Sequence, residues 1–133
     1  MELARSFYDE IIAHARQDAP DECCGLLASD ADGRIVRSYR ATNIEHSPYR
    51  YNVDPKELLE IYNQIEGQGW ELSGIYHSHT ATEAYPSPTD VRLAGWPDAC
   101  YLIVSLKDAE PVLRSFRITD VTVGEEPLRI IED

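Results

Sequence analysis

Residues 71–90, ELSGIYHSHTATEAYPSPTD, decide how this chain is read. ELSGIYH (71–77) predicts a strand, with Ile75 and Tyr76 flanking Gly74. Side chains alternate along a strand, so His77 and His79 point to the same side of the sheet. After a loop at 80–86, Ser87-Pro88-Thr89-Asp90 reads as a capped helix start with Pro88 at the first helical position. Asp90 then lies in the first turn and can swing in beside both imidazoles. Two imidazole nitrogens and one carboxylate oxygen make an open three-ligand zinc site that leaves a fourth position for water. That is the geometry of a hydrolase.

The spacing of the histidines alone carries little. The chain has four histidines, and an isolated H-x-H also describes a solvent-exposed pair at a strand end. The conjunction of strand end, H-x-H, loop and S-x-x-D is what points to a metal site. A zinc hydrolase also needs a carboxylate to remove and redeliver a proton. No H-E-x-x-H occurs, so that group comes from elsewhere. Glu22 leads into the apolar run CCGLLAS (23–29), where burial would tune a carboxylate for proton transfer. The alternative for Glu22 is an exposed strand-end charge, and Glu83, inside the motif loop, is the local competitor.

The remaining segments supply a frame. Leu3, Phe7, Ile11 and Ala15 recur at helical spacing, which predicts an amphipathic helix over 2–17 that closes before Pro20. On this reading His14 lies near the polar side and is solvated. Residues 23–29 predict a buried strand, and RIVRSYRA (34–41) alternates as its hairpin partner across the turn at 30–33. A polar loop follows at 42–48, and YRYNV (49–53) predicts another short strand. Asp54 and Pro55 cap a helix carrying Leu58, Leu59, Tyr62 and Ile65 as far as Gly67 and Gly69. CYLIVSL (100–106) and VLRSFRI (112–118) form a second hairpin, and 121–131 adds a short strand. The fold class is α/β, a single-domain mixed β-sheet flanked by helices.

Composition narrows the function. The chain has 133 residues, 12 basic and 24 acidic, and a formal charge of −12, which repels phosphate backbones and argues against nucleic-acid binding. No apolar run approaches the ~20 residues of a membrane span, and the N-terminus resembles neither a secretory signal nor a transit peptide. Cys23, Cys24 and Cys100 have no disulfide-framework spacing and read as buried small hydrophobes in a reducing compartment, with the cytoplasm the default. The oligomeric state, monomer or homodimer, stays open.

Glu22, then His77-Ser78-His79, then Ser87-Pro88-Thr89-Asp90 resemble the E…H-x-H…S-x-x-D motif of the JAMM (MPN-plus) metalloproteases. The resemblance covers almost the whole chain, residues 1–133, as one such domain with cytidine-deaminase-like layering. Asp21-Glu22-Cys23-Cys24-Gly25-Leu26-Leu27 resembles the family's first motif, and Tyr51-Asn52-Val53-Asp54-Pro55 its lead into the second helix. Thr80 stands where the wider family usually has proline. The run HSHTATEAYPS resembles the bacterial hydrolases that release cysteine from a ubiquitin-like sulfur-carrier protein. The resemblance implies that His77, His79 and Asp90 bind Zn2+, that Glu22 is general base and then acid to the leaving amine, and that Ser87 donates to the tetrahedral oxyanion. The implied substrate is a β-grasp carrier with a C-terminal glycine tail, which could lie along a sheet edge beside the metal. Thr80 to Ala84, Tyr85, His46 and Tyr49 are candidates for bordering it. The rival readings are a peptidase trimming an extension or isopeptide from such a carrier, and a non-catalytic MPN scaffold.

Overall fold

The computed structural model describes residues 1–133. The chain runs β1 (Glu2–Ala4), α1 (Arg5–Asp18), β2 (Cys24–Ser29), β3 (Ile35–Ala41), α2 (Pro55–Gly67) and β4 (Glu71–His79). It continues through α3 (Pro88–Leu93), β5 (Cys100–Ser105), β6 (Val112–Thr119), β7 (Thr122–Glu126) and β8 (Arg129–Ile131). The main sheet has the order β3-β2-β4-β5-β6-β7, while β1 and β8 form a separate parallel pair. Only β4 and β5 run parallel in the main sheet, and α3 lies in the connection between them. The expected mixed sheet flanked by helices is therefore borne out.

Strand alternation sorts the side chains between two cores. Cys23, Leu27, Tyr76, Leu102 and Val104 pack against Ile11, Ile12 and Ala15 of α1. Cys24, Leu26, Ala28, Tyr39 and Ala41 pack on the opposite face against Ile61 and Ile65 of α2. β4 is interior, hydrogen-bonded to β2 on one side and β5 on the other. The sheet edges are β3 and β7, so an extended tail cannot add directly to β4.

Several sequence expectations need correction: residues 2–4, expected as the start of the first helix, form β1 on β8, and 121–131 holds two strands, β7 and β8, not one. Residues 49–53 form no strand and make only the isolated bridge between Asn43 and Val53. The reason is local: the Asn43 side-chain oxygen accepts from the N–H groups of Glu45 and Asn52, both at 3.0 Å, and takes the place of a partner strand. His14 is buried, not solvated. Its Nε2 lies 3.2 Å from an Asp18 carboxylate oxygen, which leaves Nδ1 to accept from the Tyr76 hydroxyl at 2.6 Å.

Glycine makes that contact possible. Gly25 pairs with Tyr76 across the β2–β4 ladder, and the Tyr76 ring occupies the space where a Cβ on residue 25 would stand. Gly25→Ala should force the ring aside and strain the Tyr76–His14–Asp18 chain. Overpacking of this kind costs about 1–3 kcal/mol, so the melting temperature should fall by roughly 4–10 °C. An unchanged calorimetric melt would mean that the ring moves away freely.

Candidate metal centre

β4 delivers two imidazoles to one face because His77 and His79 are two residues apart on a strand. Their Nε2 atoms lie 3.2 Å apart. Asp90 Oδ2 sits 3.1 Å from each of them, closing a nearly equilateral triangle. Both histidines are almost fully buried, and the Asp90 side chain is only 8 % exposed.

Each corner is held from behind. His79 Nδ1 donates to the Glu83 backbone carbonyl at 2.8 Å, which fixes the tautomer and leaves Nε2 as the inward lone pair. Thus Glu83 contributes its carbonyl, while its side chain is exposed. The His77 ring stacks on Tyr51, with centroids 4.2 Å apart and planes 19° apart. Asp90 is locked by a capping box: its N–H donates to Ser87 Oγ at 3.0 Å, and the Ser87 N–H donates to its Oδ2 at 2.9 Å.

The triangle fits a small divalent cation. Three donor lone pairs converging inside a buried pocket repel one another unless positive charge lies among them. A single proton can relieve one edge of the triangle, whereas a cation relieves all three. A tetrahedron with metal–ligand bonds of about 2.0 Å has edges of about 3.3 Å, close to the spacing found here. Burial opposes the charged form of Asp90, but hydrogen bonds from His77, His79 and the Ser87 N–H outweigh it and hold its carboxyl well below the usual range. Burial lowers the His77 pKa despite the pull of Asp90. Burial also opposes protonation of His79, yet Asp90 and the Glu83 carbonyl together raise its pKa.

Glu22 approaches from the segment just before β2. A ligand atom on each of Glu22, His77 and His79 lies within 4.8 Å of the others. The glutamate is buried, and its Oε1 has no hydrogen-bond partner. Burial pushes its pKa up to about 8, with His79 pulling it down and Asp90 repulsion adding to the rise. The four acidic and imidazole groups expected from sequence therefore come together, and Ser87 stands beside them through its hydrogen bonds to Asp90.

Two cavities adjoin the cluster. A cleft of about 440 Å³ is lined by Glu22, His79 and Ser87 together with Tyr49, Thr80 and Thr82. A largely apolar cavity of about 220 Å³ lies on the Asp90 side, lined by Tyr51, Ile75, Leu93 and Trp96 among others. Tyr49 and Thr80 thus border the site, as expected. Ala84 is instead buried against Ile103 and Phe116, Tyr85 packs edge-on to Phe116, and His46 lines a separate polar recess on the far side of Glu22. Tyr51 and Asn43 were not singled out as site residues by the sequence; the Tyr51 aromatic ring two residues before Val53-Asp54 was the available signal for one of them.

The chain matches the family described as prokaryotic homologs of the JAB domain over residues 4–119. It is 48 % identical over 124 residues to the CysO-cysteine peptidase of Mycobacterium tuberculosis, covering 92 % of this chain and 85 % of that protein. It is 40 % identical over 111 residues to the desampylase of Haloferax volcanii, covering 79 % and 80 %. The solution structure of a protein from Desulfitobacterium hafniense is also similar, with a TM-score of 0.89 and 40 % identity over 99 % of this chain and 93 % of that one.

The raised pKa of Glu22 sets a pH test on chelator-treated protein. The folded state keeps this proton up to about pH 8, whereas an unfolded glutamate releases it near 4.5. Stability from this group is therefore present at low pH and lost as pH rises through that window. Glu22→Gln removes the loss, so its melting temperature should exceed that of the parent by a margin that widens from about pH 5 to about pH 9. A margin that stays flat would mean that burial does not hold the proton on Glu22.

Proposed function

The chain belongs to the prokaryotic homologs of the JAB domain, and from that membership we propose that it is a zinc peptidase acting on a ubiquitin-like sulfur-carrier protein. It hydrolyses the amide between the carrier's C-terminal glycine and an attached cysteine, giving a free carrier carboxylate and cysteine. The observation that carries this reading is the buried triangle of His77, His79 and Asp90 with Glu22 beside it. The similarity to the CysO-cysteine peptidase supports the substrate. A cytoplasmic setting is supported by three free, buried cysteines. No helix is long and apolar enough to cross a membrane.

His77, His79 and Asp90 would hold the zinc, which when bound supplies a Lewis acid for the scissile carbonyl and acidifies water. Glu22 takes a proton from the attacking water and returns it to the leaving amine nitrogen. Its unpartnered Oε1 is free of competing donors, the pKa raised by burial suits the return of the proton, and the positive charge of bound zinc would favour the ionised form that takes it. Ser87 Oγ accepts from the Asp90 N–H, so its own hydroxyl proton is free to meet the oxyanion. The N-cap and oxyanion roles of Ser87 are thus compatible. The cleft beside Glu22, lined also by Thr80 and Thr82, receives the leaving group.

Similarity to the desampylase supports a second reading, in which the bond cleaved joins the carrier to another protein. The two differ in the leaving group alone. A non-catalytic scaffold is disfavoured because such a role has no use for a complete buried donor set with a protonatable carboxyl next to it.

Mass spectrometry of a carrier–cysteine adduct and a carrier–lysine isopeptide, before and after exposure to zinc-loaded protein, separates these readings. Release of cysteine is expected, and an intact adduct would sink the substrate assignment. Glu22→Gln should keep stoichiometric zinc while turnover drops by about 10²–10⁴. His77→Ala should lose both zinc and turnover. Ser87→Ala should cost about 10²–10³ in kcat through the oxyanion and about 1 kcal/mol of stability through the cap. A fully active Glu22→Gln enzyme would remove Glu22 from the chemistry.

A further inference from the structure

Glu22 precedes β2, which begins at Cys24, so no sheet ladder holds its backbone. Both of its peptide groups are bonded instead to one loop. Its N–H donates to the Ser47 carbonyl at 2.9 Å. Its carbonyl accepts from Asn43 Nδ2 at 3.0 Å. The next residue is tied to the histidine strand: the Cys23 N–H donates to Ser78 Oγ at 2.8 Å, and the Ser78 N–H to the Cys23 carbonyl at 3.2 Å. The chain is thus fixed to β4 at Cys23 and to the loop at Glu22.

Asn43 is buried at 6 % exposure, and its amide uses its full hydrogen-bonding capacity. Besides Glu22, Nδ2 donates to the Arg50 carbonyl at 3.1 Å. Oδ1 accepts from Glu45 and Asn52. The tight turn after it, with the His46 N–H on the Asn43 carbonyl at 3.2 Å and His46 at φ 44°, presents the Ser47 carbonyl to Glu22. One side chain therefore holds the glutamate's peptide and the loop that carries Tyr49 and Tyr51.

We propose that Asn43 is a positioning residue that sets the place of the Glu22 carboxyl relative to His77 and His79. The inference rests on Glu22 being the general base of the peptidase reading. Its consequence is kinetic: without the Nδ2 donors the glutamate drifts relative to the histidines, while the Oδ1 bonds to Glu45 and Asn52 still hold the loop that carries Tyr49. Misplacement of a reacting group by about 1 Å can cost on the order of 10² in rate.

Asn43→Asp tests this, because it keeps the Oδ1 acceptor and replaces the amide donor with an oxygen that repels the Glu22 and Arg50 carbonyls. The zinc-loaded variant is compared with the parent on the carrier–cysteine adduct. The expected result is a kcat lower by about 10–100-fold, with KM within about twofold and zinc content unchanged. A role confined to supporting the loop would raise KM and leave kcat intact, and that outcome overturns the proposal. If Asn43→Asp does not fold, Asn43→Gln keeps donor and acceptor on a longer stem and should show a smaller loss, again in kcat alone. Crystal structures of zinc-loaded parent and variant give a readout independent of substrate. Glu22 should be displaced while His77, His79 and Asp90 superpose, and an unmoved Glu22 overturns the inference. Should the parent leave the adduct intact, the substrate reading fails and the structures still decide the role of Asn43.

Discussion

Convergence of three metal-binding atoms on one buried point governs this structure. His77 Nε2, His79 Nε2 and Asp90 Oδ2 are held 3.1–3.2 Å apart inside a pocket from which water is largely excluded. Left to themselves, side chains with converging lone pairs would rotate away. Here each is prevented from doing so. The histidines hang from a strand bonded on both edges, His79 is anchored by the Glu83 carbonyl, and Asp90 is held by the Ser87 N–H. Much of the fold around the site serves to keep this arrangement ready for a cation.

The same preparation leaves polar atoms without partners. Glu22 Oε1 and His77 Nδ1 are buried and unpaired within the protein. Each costs about 1–3 kcal/mol in an ordinary interior. The two apolar cores, packed on opposite faces of the sheet by α1 and α2, offset that cost. Stability is thus concentrated away from the site, while two buried unpaired groups sit at it. The raised pKa of Glu22 follows from the same burial that leaves its oxygen alone.

The sequence disclosed what depends on short-range geometry. H-x-H on a strand places two imidazoles on one face whatever the rest of the chain does. S-P-x-D forms a capping box that fixes its own carboxylate. Glu22 lies 55 positions before His77, a separation counted along the chain (77 minus 22), and nothing local ties the two. It entered as a candidate through its place before an apolar strand and became specific through the family resemblance. His14 and Asn43 were misread or overlooked for a related reason. His14 is polar on a helix that looks solvated until Tyr76, folding over Gly25, supplies a buried partner. YRYNV alternates like a strand, yet the Asn43 side chain takes the hydrogen bond of Asn52 that pairing would have used. Side-chain substitution for a missing strand has no period and cannot be read from spacing.

The shortest element shows how closely folding and metal affinity are joined. α3 has six residues, none fully buried as a whole, and is far below the length at which an isolated helix holds together. Its stability comes from its cap, from Val91 packed against Ile75, Tyr101 and Ile118, and from what Asp90 touches. Asp90 Oδ2 accepts from the Ser87 N–H and faces both imidazoles, so one oxygen belongs to the helix and to the cluster. Linkage then requires that whatever neutralises the triangle also stabilises α3. The helix that presents Ser87 is therefore most firmly formed when the site is ready to use it.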